Sequence, residues 1–281
     1  MHWTFVGAGN MAASLVGGLL AAESPPENIT LVDPDAAARE RVGSRFGVGA
    51  VASFEQALAP EPAIPRGVVI AVKPDVVERA CRAVGSAVAN SVPPLVVSVA
   101  AGVRLDALAS WLPADTPICR CMPNTPALLG LGASGLYANE SCTRAQVAHA
   151  EALLGTAGLV VRVSEEPLLD AVTATSGSGP AYVFYLVELM AASGSRLGLD
   201  ADTARELAIE TAFGAASMLR ERGASPEELR RRVTSKGGTT AAAIAAFERA
   251  GLDEIVLEAM RAARDRAVAL GDEHTPGGAV S

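Results

Sequence analysis

The sequence has few aromatic residues and few histidines. Aromatic residues make up 4% of the 281 residues although 50% are hydrophobic, so we predict a core of mainly Ala, Val and Leu. Of the three histidines, His2 falls in the first predicted strand, His149 in a predicted surface helix and His274 in the C-terminal tail. None of these places suggests a catalytic histidine, so chemistry that depends on a histidine acid is not favoured.

Positive charge and long hydrophobic runs are also scarce. The chain has 23 Lys and Arg against 31 Asp and Glu, which gives a net charge of -8. An acidic chain without a basic patch is not typical of proteins that bind nucleic acid or anionic membranes. No run is long enough to cross a bilayer, and the first ten residues lack the pattern of a secretory signal. We therefore expect a cytoplasmic protein with no nucleic-acid or membrane partner.

Cysteine is equally rare, and its spacing is uninformative for disulfides. The four cysteines, Cys81, Cys119, Cys121 and Cys142, form no Cys-x-x-Cys pair and predict no disulfide framework. Cys119 and Cys121 flank Arg120 in a predicted strand, so both side chains should point to one face. We interpret this pair as core packing rather than metal binding, and we predict no metal site.

The length predicts two domains, and the pattern of the chain changes near residue 163. Before that point, short apolar runs rich in β-branched residues alternate with helical runs, as in a parallel sheet buried on both faces. The strand candidates are 2–6, 29–32, 68–72, 95–99, 117–121, 133–138 and 159–163. This alternation predicts an α/β fold with an N-terminal, Rossmann-like, doubly wound sheet domain.

After residue 163 the pattern predicts helices alone. The candidates are 180–197, a helix capped by Asp200, a helix begun by Ser225 with Pro226 and Glu228 in a capping box, 239–250 and 253–270. The Gly- and Pro-rich end is expected to be disordered. We therefore predict a dinucleotide-binding domain over 1–163, an all-α domain over 164–270 and a disordered tail over 271–281.

The first predicted strand leads into Gly7-Ala8-Gly9-Asn10-Met11-Ala12, the G-x-G-x-x-A form of the dinucleotide fingerprint. Gly7 permits the tight turn, Gly9 permits close approach of a pyrophosphate, and Ala12 permits close packing of helix on strand. The pyrophosphate would lie at the N-terminus of the following helix. This context predicts a nicotinamide or flavin dinucleotide. The alternative is a pair of turn glycines in an unrelated α/β domain.

Asp33 follows the second predicted strand, at the place of a ribose-binding carboxylate. A carboxylate there favours NAD because it repels a 2′-phosphate. Arg39 and Arg41 are close in sequence and could instead receive that phosphate. The sequence therefore leaves the choice between NAD and NADP open.

The two lysines, Lys73 and Lys236, both fall in predicted turns, whereas the other 21 of the 23 basic residues are arginines. A buried strand ends in Ala71-Val72-Lys73-Pro74, and ligands of such sheets bind beyond the carboxyl ends of the strands. We therefore place Lys73 next to the cofactor or substrate. The alternative is that both are ordinary surface lysines.

Residues 234–240, TSKGGTT, interrupt the helical half with two glycines and several hydroxyl groups. Gly237-Gly238 permits unusual backbone angles, and the first N–H groups of the next helix have no intrahelical partner. Such a loop suits a small anion, above all a carboxylate. The alternative is a turn between helices with Thr N-caps. A second glycine-rich run, SGSGPAY at 176–182, precedes the long helix.

Taken together, the motifs at 6–12, 71–74, 122–126, 176–182 and 234–240 resemble those of the pyrroline-5-carboxylate reductases, in the same order and spacing. The resemblance covers about residues 1–270. It implies that NADPH or NADH in reduced form donates hydride to the cyclic imine 1-pyrroline-5-carboxylate, which gives L-proline in the final step of proline biosynthesis. It also implies a homodimer with interlocked helical domains, which in this family often assembles further into a decamer.

The same resemblance implies roles for individual residues. The residues expected to bind the cofactor, with Asp33 added from the fingerprint, are Val6, Gly7, Ala8, Gly9, Asn10, Met11, Ala71, Val72, Lys73 and Pro74. Those expected to hold the substrate carboxylate are Ser235, Gly237, Gly238, Thr239 and Thr240, with Thr240 also near the ring nitrogen as the catalytic residue. Lys236 departs from the family pattern, which often has proline there, and the position of Asp33 varies in the family.

The absence of a histidine acid fits an imine substrate. A cyclic imine is basic enough to bind already protonated, so catalysis would depend mostly on positioning. The main alternative is a reductase of the β-hydroxyacid dehydrogenase type, which has a catalytic lysine on the long helix. That helix has no lysine over 181–197. A non-enzymatic dinucleotide-binding protein is the other alternative, and the intact motifs disfavour it.

Overall fold

A computed structural model describes residues 1–57, 66–89, 91–221 and 223–273. The chain forms two compact units. The first contains Met1–Gly177 together with the segment that starts at Ala263, and the second contains Ser178–Ala262. No helix of the described residues is both long enough and apolar enough to cross a membrane.

The first unit is built on one eight-stranded sheet. The strands are β1 His2–Val6, β2 Ile29–Val32, β3 Gly49–Val51, β4 Arg66–Ile70, β5 Leu95–Ser98, β6 Ile118–Met122, β7 Gly132–Ala138 and β8 Gly158–Arg162. Their order is β3-β2-β1-β4-β5-β6-β7-β8. The strands from β3 to β6 pair in parallel, β7 is antiparallel to β6, and β8 is parallel to β7. This arrangement confirms the predicted Rossmann-like fold.

Helices cover both faces of the sheet. The helices of this unit are α1 Asn10–Ala21, α2 Ala36–Phe46, α3 Phe54–Ala57, α4 Pro74–Val88, α5 Leu105–Trp111, α6 Arg144–Gly155 and α7 Leu168–Val172. Side chains of α1, α2 and α6 pack with one face of the strands, and side chains of α4 and α5 pack with the other. The continuous apolar strand pattern follows from this double burial.

The strand predictions were wrong in two places. The three-residue strand β3 was not predicted, because so short a run carries no periodic signal. The strand predicted over 68–72 is β4 at Arg66–Ile70. It stops at Ile70 because its partner β1 stops at Val6, and Ala71 and Val72 therefore belong to the loop at the edge of the sheet.

The second unit is helical. Its helices are α8 Gly179–Arg196, α9 Ala201–Arg220, α10 Pro226–Arg232, α11 Thr239–Arg249 and the first part of α12 Leu252–Glu273. The side chain of Asp200 accepts a hydrogen bond from the Thr203 N–H, and that of Ser225 accepts one from the Glu228 N–H, so both predicted caps are present. The helix α9 ends at Arg220.

The compact units differ from the predicted ranges at both ends. The last strand ends at Arg162, one residue before the predicted change, but α7 remains in the first unit because Leu169 is buried there. The first unit therefore extends to Gly177, and the chain returns to this unit at Ala263. Residues 271–273, predicted as part of a disordered tail, are the last residues of α12. The rest of that tail lies outside the described residues.

Candidate active site

Three predicted cofactor segments meet at the carboxyl edge of the sheet. Val6, the last residue of β1, is paired with Val32 of β2 and Ile70 of β4. The Gly7 N–H donates to the Val32 carbonyl over 2.7 Å, and the Ala71 N–H donates to the Val6 carbonyl over 2.9 Å. Three segments consequently begin side by side. They are the loop with Gly7 and Gly9, called the glycine loop, then Asp33, and the loop from Ala71 to Pro74.

Gly7 holds the glycine loop against the neighbouring loop. Its φ is +106°, and a Cβ there would lie 2.6 Å from the Ala71 carbonyl oxygen and 2.9 Å from Val72 Cγ1. No side chain fits this space, and few residues other than glycine adopt this φ. Gly7 is therefore required by the backbone and by its neighbours, as the fingerprint predicts.

Gly9 ends the same loop and lies beside open space. It is the N-cap of α1, with an extended backbone and no side-chain cap on the helix. A Cβ at Gly9 would meet nothing within 4 Å, so the space beside it is open. The first N–H groups of a helix have no intrahelical acceptor and attract anions. The open space and the uncapped helix fit a dinucleotide pyrophosphate.

The Asp33 carboxylate is held against the glycine loop. Its Oδ2 accepts the Ala8 N–H over 2.8 Å, and its Oδ1 accepts the Asp35 N–H over 2.9 Å. A carboxylate oxygen has two lone pairs, so each oxygen keeps one acceptor position for a ribose hydroxyl. The negative charge therefore lies beside the loop that fits the pyrophosphate.

Both nearby arginines donate to backbone carbonyls. Arg39 Nη1 donates to the Asp33 carbonyl over 2.7 Å and to the Pro34 carbonyl over 3.0 Å. Arg41 Nη2 donates to the Ala8 carbonyl over 3.4 Å. Each guanidinium has further N–H groups. Both cations accordingly lie around Asp33, and the geometry by itself still allows either NAD or NADP.

Lys73 lies at the same edge of the sheet. It is exposed, its backbone is extended with φ -63° and ψ 152°, and Pro74 follows as the first residue of α4. The backbone of Lys73 therefore lies at the carboxyl edge, where ligands of such sheets bind, and its role toward the cofactor or substrate stays a prediction. The described histidines lie elsewhere, since His2 begins β1 at the opposite edge and His149 is exposed on α6.

The motif at 122–126 supports the run at 176–182. Asn124 Oδ1 accepts the Ala133 N–H over 2.8 Å, and its Nδ2 donates to the Ser176 carbonyl over 3.0 Å. A Cβ at Gly177 would lie 2.6 Å from Met122 Cε, the flexible end of that side chain, so Met122 packs closely against Gly177. Asn124 and Met122 therefore hold the start of the second glycine-rich run, a role that sequence reasoning missed.

A buried ionic group lies on the face of the sheet covered by α4 and α5. Arg120 on β6 is buried and donates to Glu166 Oε1 over 2.8 Å, and that oxygen also accepts the Leu105 N–H at the start of α5. Asp170 Oδ1 lies 3.9 Å from Arg120 Nη2. Burial raises the pKa of the Asp170 carboxyl, although the Arg120 and Arg104 charges oppose that rise. Sequence reasoning missed this ionic group, and the feature that could have predicted it is a single arginine, Arg120, within an apolar strand.

Residues 234–240, the loop predicted to bind an anion and called the anion loop, lie in the second unit. Gly237 has φ +74°, and Gly238 is the extended N-cap of α11, which no side chain caps. The Gly238 N–H donates to the Ser235 carbonyl over 3.0 Å, and a Cβ at Gly238 would lie 2.5 Å from Ser235 Oγ. Because Gly238 occupies the N-cap, a Thr N-cap is wrong, whereas the choice between a simple turn and an anion-binding loop stays a prediction.

The hydroxyl groups of this loop differ in their surroundings. Thr239 and Thr240 are the first two residues of α11, and Thr240 is half-buried whereas Thr239 is exposed. Thr234 Oγ1 donates to the Arg230 carbonyl over 2.6 Å, so that hydroxyl is committed to α10. Lys236 is exposed. The uncapped helix, together with Ser235 and the two following threonines, fits a small carboxylate.

The two predicted binding surfaces thus belong to different units. All of the predicted cofactor residues lie in the first unit, and all of the predicted carboxylate-binding residues lie in the second. Within the ranges that the structure describes, no cluster of three or more His, Cys, Asp or Glu side chains could hold a metal ion.

Comparison with family models gives two matches. Residues 166–270 match the model described as pyrroline-5-carboxylate reductase dimerisation. Residues 3–102 match the model described as NADP oxidoreductase, coenzyme F420-dependent. The first match contains α7 to α11 and the anion loop, and the second contains the glycine loop, Asp33 and the loop from Ala71 to Pro74.

Comparison with individual proteins covers nearly the whole chain. The pyrroline-5-carboxylate reductase of Pseudomonas aeruginosa is 44% identical over 269 residues, which is 96% of each chain. The solved structure of a pyrroline-5-carboxylate reductase from Coxiella burnetii has a TM-score of 0.89 at 37% identity and covers 96% of this chain and 98% of that one. The Plasmodium falciparum enzyme, solved with NADP bound, has a TM-score of 0.80 at 25% identity and covers 96% of this chain and 98% of that one. This chain belongs to the pyrroline-5-carboxylate reductase family.

Proposed function

We propose that this protein reduces 1-pyrroline-5-carboxylate to L-proline by hydride transfer from NADPH or NADH. Family membership over nearly the whole chain carries this proposal. Two uncapped helix N-termini, at α1 and α11, supply its physical basis, because each suits an anionic group. Open space lies beside Gly9 at the first and beside Gly237 at the second.

The first unit binds the cofactor in this proposal. The α1 N-terminus and the backbone from Gly7 to Met11 hold the pyrophosphate, Asp33 accepts from the adenosine ribose, and Ala71 to Pro74 complete the edge with the Lys73 cation. The bound cofactor supplies the hydride. The close approach that Gly9 permits is the feature that supports this assignment.

The second unit binds the substrate carboxylate. Ser235, Gly237, Gly238 and Thr239 offer N–H and hydroxyl donors at the start of α11, whose helix dipole favours negative charge. We assign to Thr240 the hydrogen bond with the ring nitrogen. Lys236 adds positive charge to an exposed part of the same loop.

The chemistry requires no strong acid from the protein. The protonated imine accepts hydride at its ring carbon, and the nitrogen keeps the proton with which it arrived. The contribution of the chain is then to orient the ring and to keep the cation hydrogen-bonded. A lysine-dependent β-hydroxyacid dehydrogenase mechanism is disfavoured because α8, Gly179–Arg196, contains no lysine.

The second unit also supports a homodimer. Among its described residues the buried apolar side chains are Ala204 and Ala208, while Phe184 and Phe213 are 67% and 65% exposed. Side chains of this size are rarely left in water together unless another chain covers them. We propose that the helices of this unit interlock with those of a second copy, that five such dimers can form a decamer, and that the protein acts in the cytoplasm.

The domain roles follow the same proposal. We assign dinucleotide binding to the sheet region over 1–163, and dimer formation with substrate binding to the helical region over 164–270. The compact units differ slightly from these ranges, since the chain leaves the first unit at Gly177 and returns to it at Ala263.

Loss of absorbance by NADPH or NADH, measured with purified protein and 1-pyrroline-5-carboxylate, tests the activity. Turnover with 2-keto or 3-hydroxy acids but not with this imine would refute the proposal. Thr240→Ala should lower kcat more than it weakens cofactor binding. Thr234→Ala is the matched control, because the Thr234 hydroxyl already donates to the Arg230 carbonyl. This variant should leave kcat unchanged.

A further inference from the structure

Three of the four cysteines lie together in the core between the sheet and α6. Cys119 and Cys121 are buried residues of β6, and Cys142 precedes α6. Cys119 Sγ and Cys142 Sγ are 3.9 Å apart, whereas Cys121 Sγ lies 3.9 Å from the Cys119 carbonyl oxygen. All four cysteines of the chain are free thiols. The structure therefore places two thiols, and not three, in direct contact.

We propose that Cys119 and Cys142 are a redox-active pair, which a peroxide converts into an intramolecular disulfide. The antiparallel pairing of Cys119 with Ala138 brings the loop that carries Cys142 back over β6. A disulfide has an S–S distance of about 2 Å, so the sulfurs must approach by about 2 Å. Cys142 lies in a connecting segment between β7 and α6, where such a movement requires the least repacking.

Access and charge select Cys142 as the sulfur that reacts first. Cys81, Cys119 and Cys121 are buried, and Cys142 is only partly so. The hydrogen bond from the Cys119 thiol lowers the pKa of Cys142, and the same bond together with burial raises the pKa of Cys119. Burial raises the pKa of Cys81 to about 12. Since the thiolate is the nucleophile, Cys142 is the thiol that a peroxide should attack.

The reaction balances with hydrogen peroxide as the oxidant. The Cys142 thiolate attacks one peroxide oxygen and displaces hydroxide, which leaves a sulfenic acid. The Cys119 sulfur then attacks the Cys142 sulfur, and its proton leaves with the hydroxyl group as water. The hydroxide takes up the proton first released by Cys142. Overall, the two thiols lose two protons and two electrons, and one peroxide takes them up to become two water molecules.

The bond would form away from the proposed active site. Cys119 is the second residue of β6, near the amino end of that strand, and the cofactor residues lie at the carboxyl edge of the sheet. We therefore expect oxidation to leave the reductase activity unchanged. A bond that closes the chain over 23 residues should raise the melting temperature, and dithiothreitol should reverse that change. This inference does not depend on the proposed function.

Peptide mapping of the intact wild-type protein after treatment with hydrogen peroxide and alkylation tests the pair. We expect a Cys119–Cys142 cross-linked peptide that is two hydrogens lighter, with Cys81 and Cys121 alkylated. Four alkylated cysteines would overturn the proposal. So would a sulfinic or sulfonic Cys142 beside a free Cys119, a bond from Cys121, or a bond between two chains.

Single-cysteine variants identify which two sulfurs form the bond, and they supplement the wild-type peptide map. Cys121→Ala is the matched control and should still form the bond, because its sulfur does not contact Cys142. Cys119→Ala should leave Cys142 to be oxidised past the sulfenic stage, and Cys142→Ala should leave Cys119 reduced. If Cys121→Ala abolished the cross-link as Cys119→Ala does, the pairing would be misassigned. Should a variant fail to fold, the wild-type map still decides.

Discussion

Replacing Gly7 and Gly9 separately by alanine distinguishes structural from ligand-binding roles within one loop. Gly7 has φ +106°, where a non-glycine residue is strained by about 1–3 kcal/mol. Its Cβ would also lie 2.6 Å from the Ala71 carbonyl oxygen, and overpacking of this kind costs about 1–3 kcal/mol. We therefore expect Gly7→Ala to lose about 2–6 kcal/mol of unfolding free energy.

Gly9→Ala should behave in the opposite way. Its backbone, with φ -82° and ψ -174°, is open to any residue, and its Cβ would meet no atom within 4 Å. Stability should be unchanged or slightly raised. The added methyl group would occupy the space proposed for the pyrophosphate. Loss of one or two charge-assisted hydrogen bonds, at about 1.5–3 kcal/mol each, would weaken NADPH and NADH binding by about tenfold or more.

Thermal unfolding without cofactor, followed by titration with NADPH and NADH, measures both effects. At about 2–4 °C per kcal/mol, Gly7→Ala should melt roughly 4–24 °C below wild type. Gly9→Ala should melt with wild type while its Kd for the cofactor rises. Equal melting temperatures for the two variants, or an unchanged Kd for Gly9→Ala, would refute the division of roles between the two glycines.

Three further predictions concern charged groups. Asp33→Ser should raise the ratio of kcat/KM for NADPH to that for NADH by about tenfold, since two unit charges 4 Å apart interact by about 1–4 kcal/mol; an unchanged ratio would exclude Asp33 from cofactor choice. Arg120→Met should lose about 3 kcal/mol in denaturant unfolding because it removes the cation beside the buried Asp170 carboxylate and the half-buried Glu166 carboxylate, whereas Arg82→Met, which breaks an exposed pair, should lose less than about 1 kcal/mol. The pKa of Asp170 is raised from 3.8 in the folded state, so its stabilising contribution is complete below that pH and is lost as pH rises through the raised value. Asp170→Asn should therefore gain stability relative to wild type as pH rises above about 3.8, and a constant difference from pH 3 to 7 would contradict the raised pKa.

The glycine loop could be predicted because its signal is local. A strand, a turn and a helix N-terminus follow one another within twelve residues, and each part has a residue type that its geometry requires. The loop before α11 has the same property, since Gly237 and Gly238 are adjacent in sequence to the helix that they begin. Motifs of this kind specify backbone geometry before the rest of the chain is known.

Contacts between distant residues could not be predicted in this way. Arg120 meets Glu166 across 46 positions, and no periodic pattern links the two. The end of β4 depends on where β1 ends, and that limit is set by pairing rather than by residue preference. The thiol contact of Cys119 with Cys142 depends on an antiparallel turn of the chain, whereas the sequence paired Cys119 with Cys121 by alternation alone.

The chain passes from one unit to the other at two places, and contacts between distant residues lie near both. At the first, Asn124 of one loop donates to the Ser176 carbonyl over 3.0 Å, just before the chain leaves the first unit. At the second, Arg104 pairs with Asp272 over 2.7 Å and donates to the Val268 carbonyl over 3.2 Å. Both anchors join residues more than fifty positions apart, and both attach a crossing segment to the unit proposed to bind the cofactor. The proposed substrate loop lies on the chain between these crossings. We therefore expect long-range anchors of this kind, together with the glycine motifs, to set where the helical unit begins and ends.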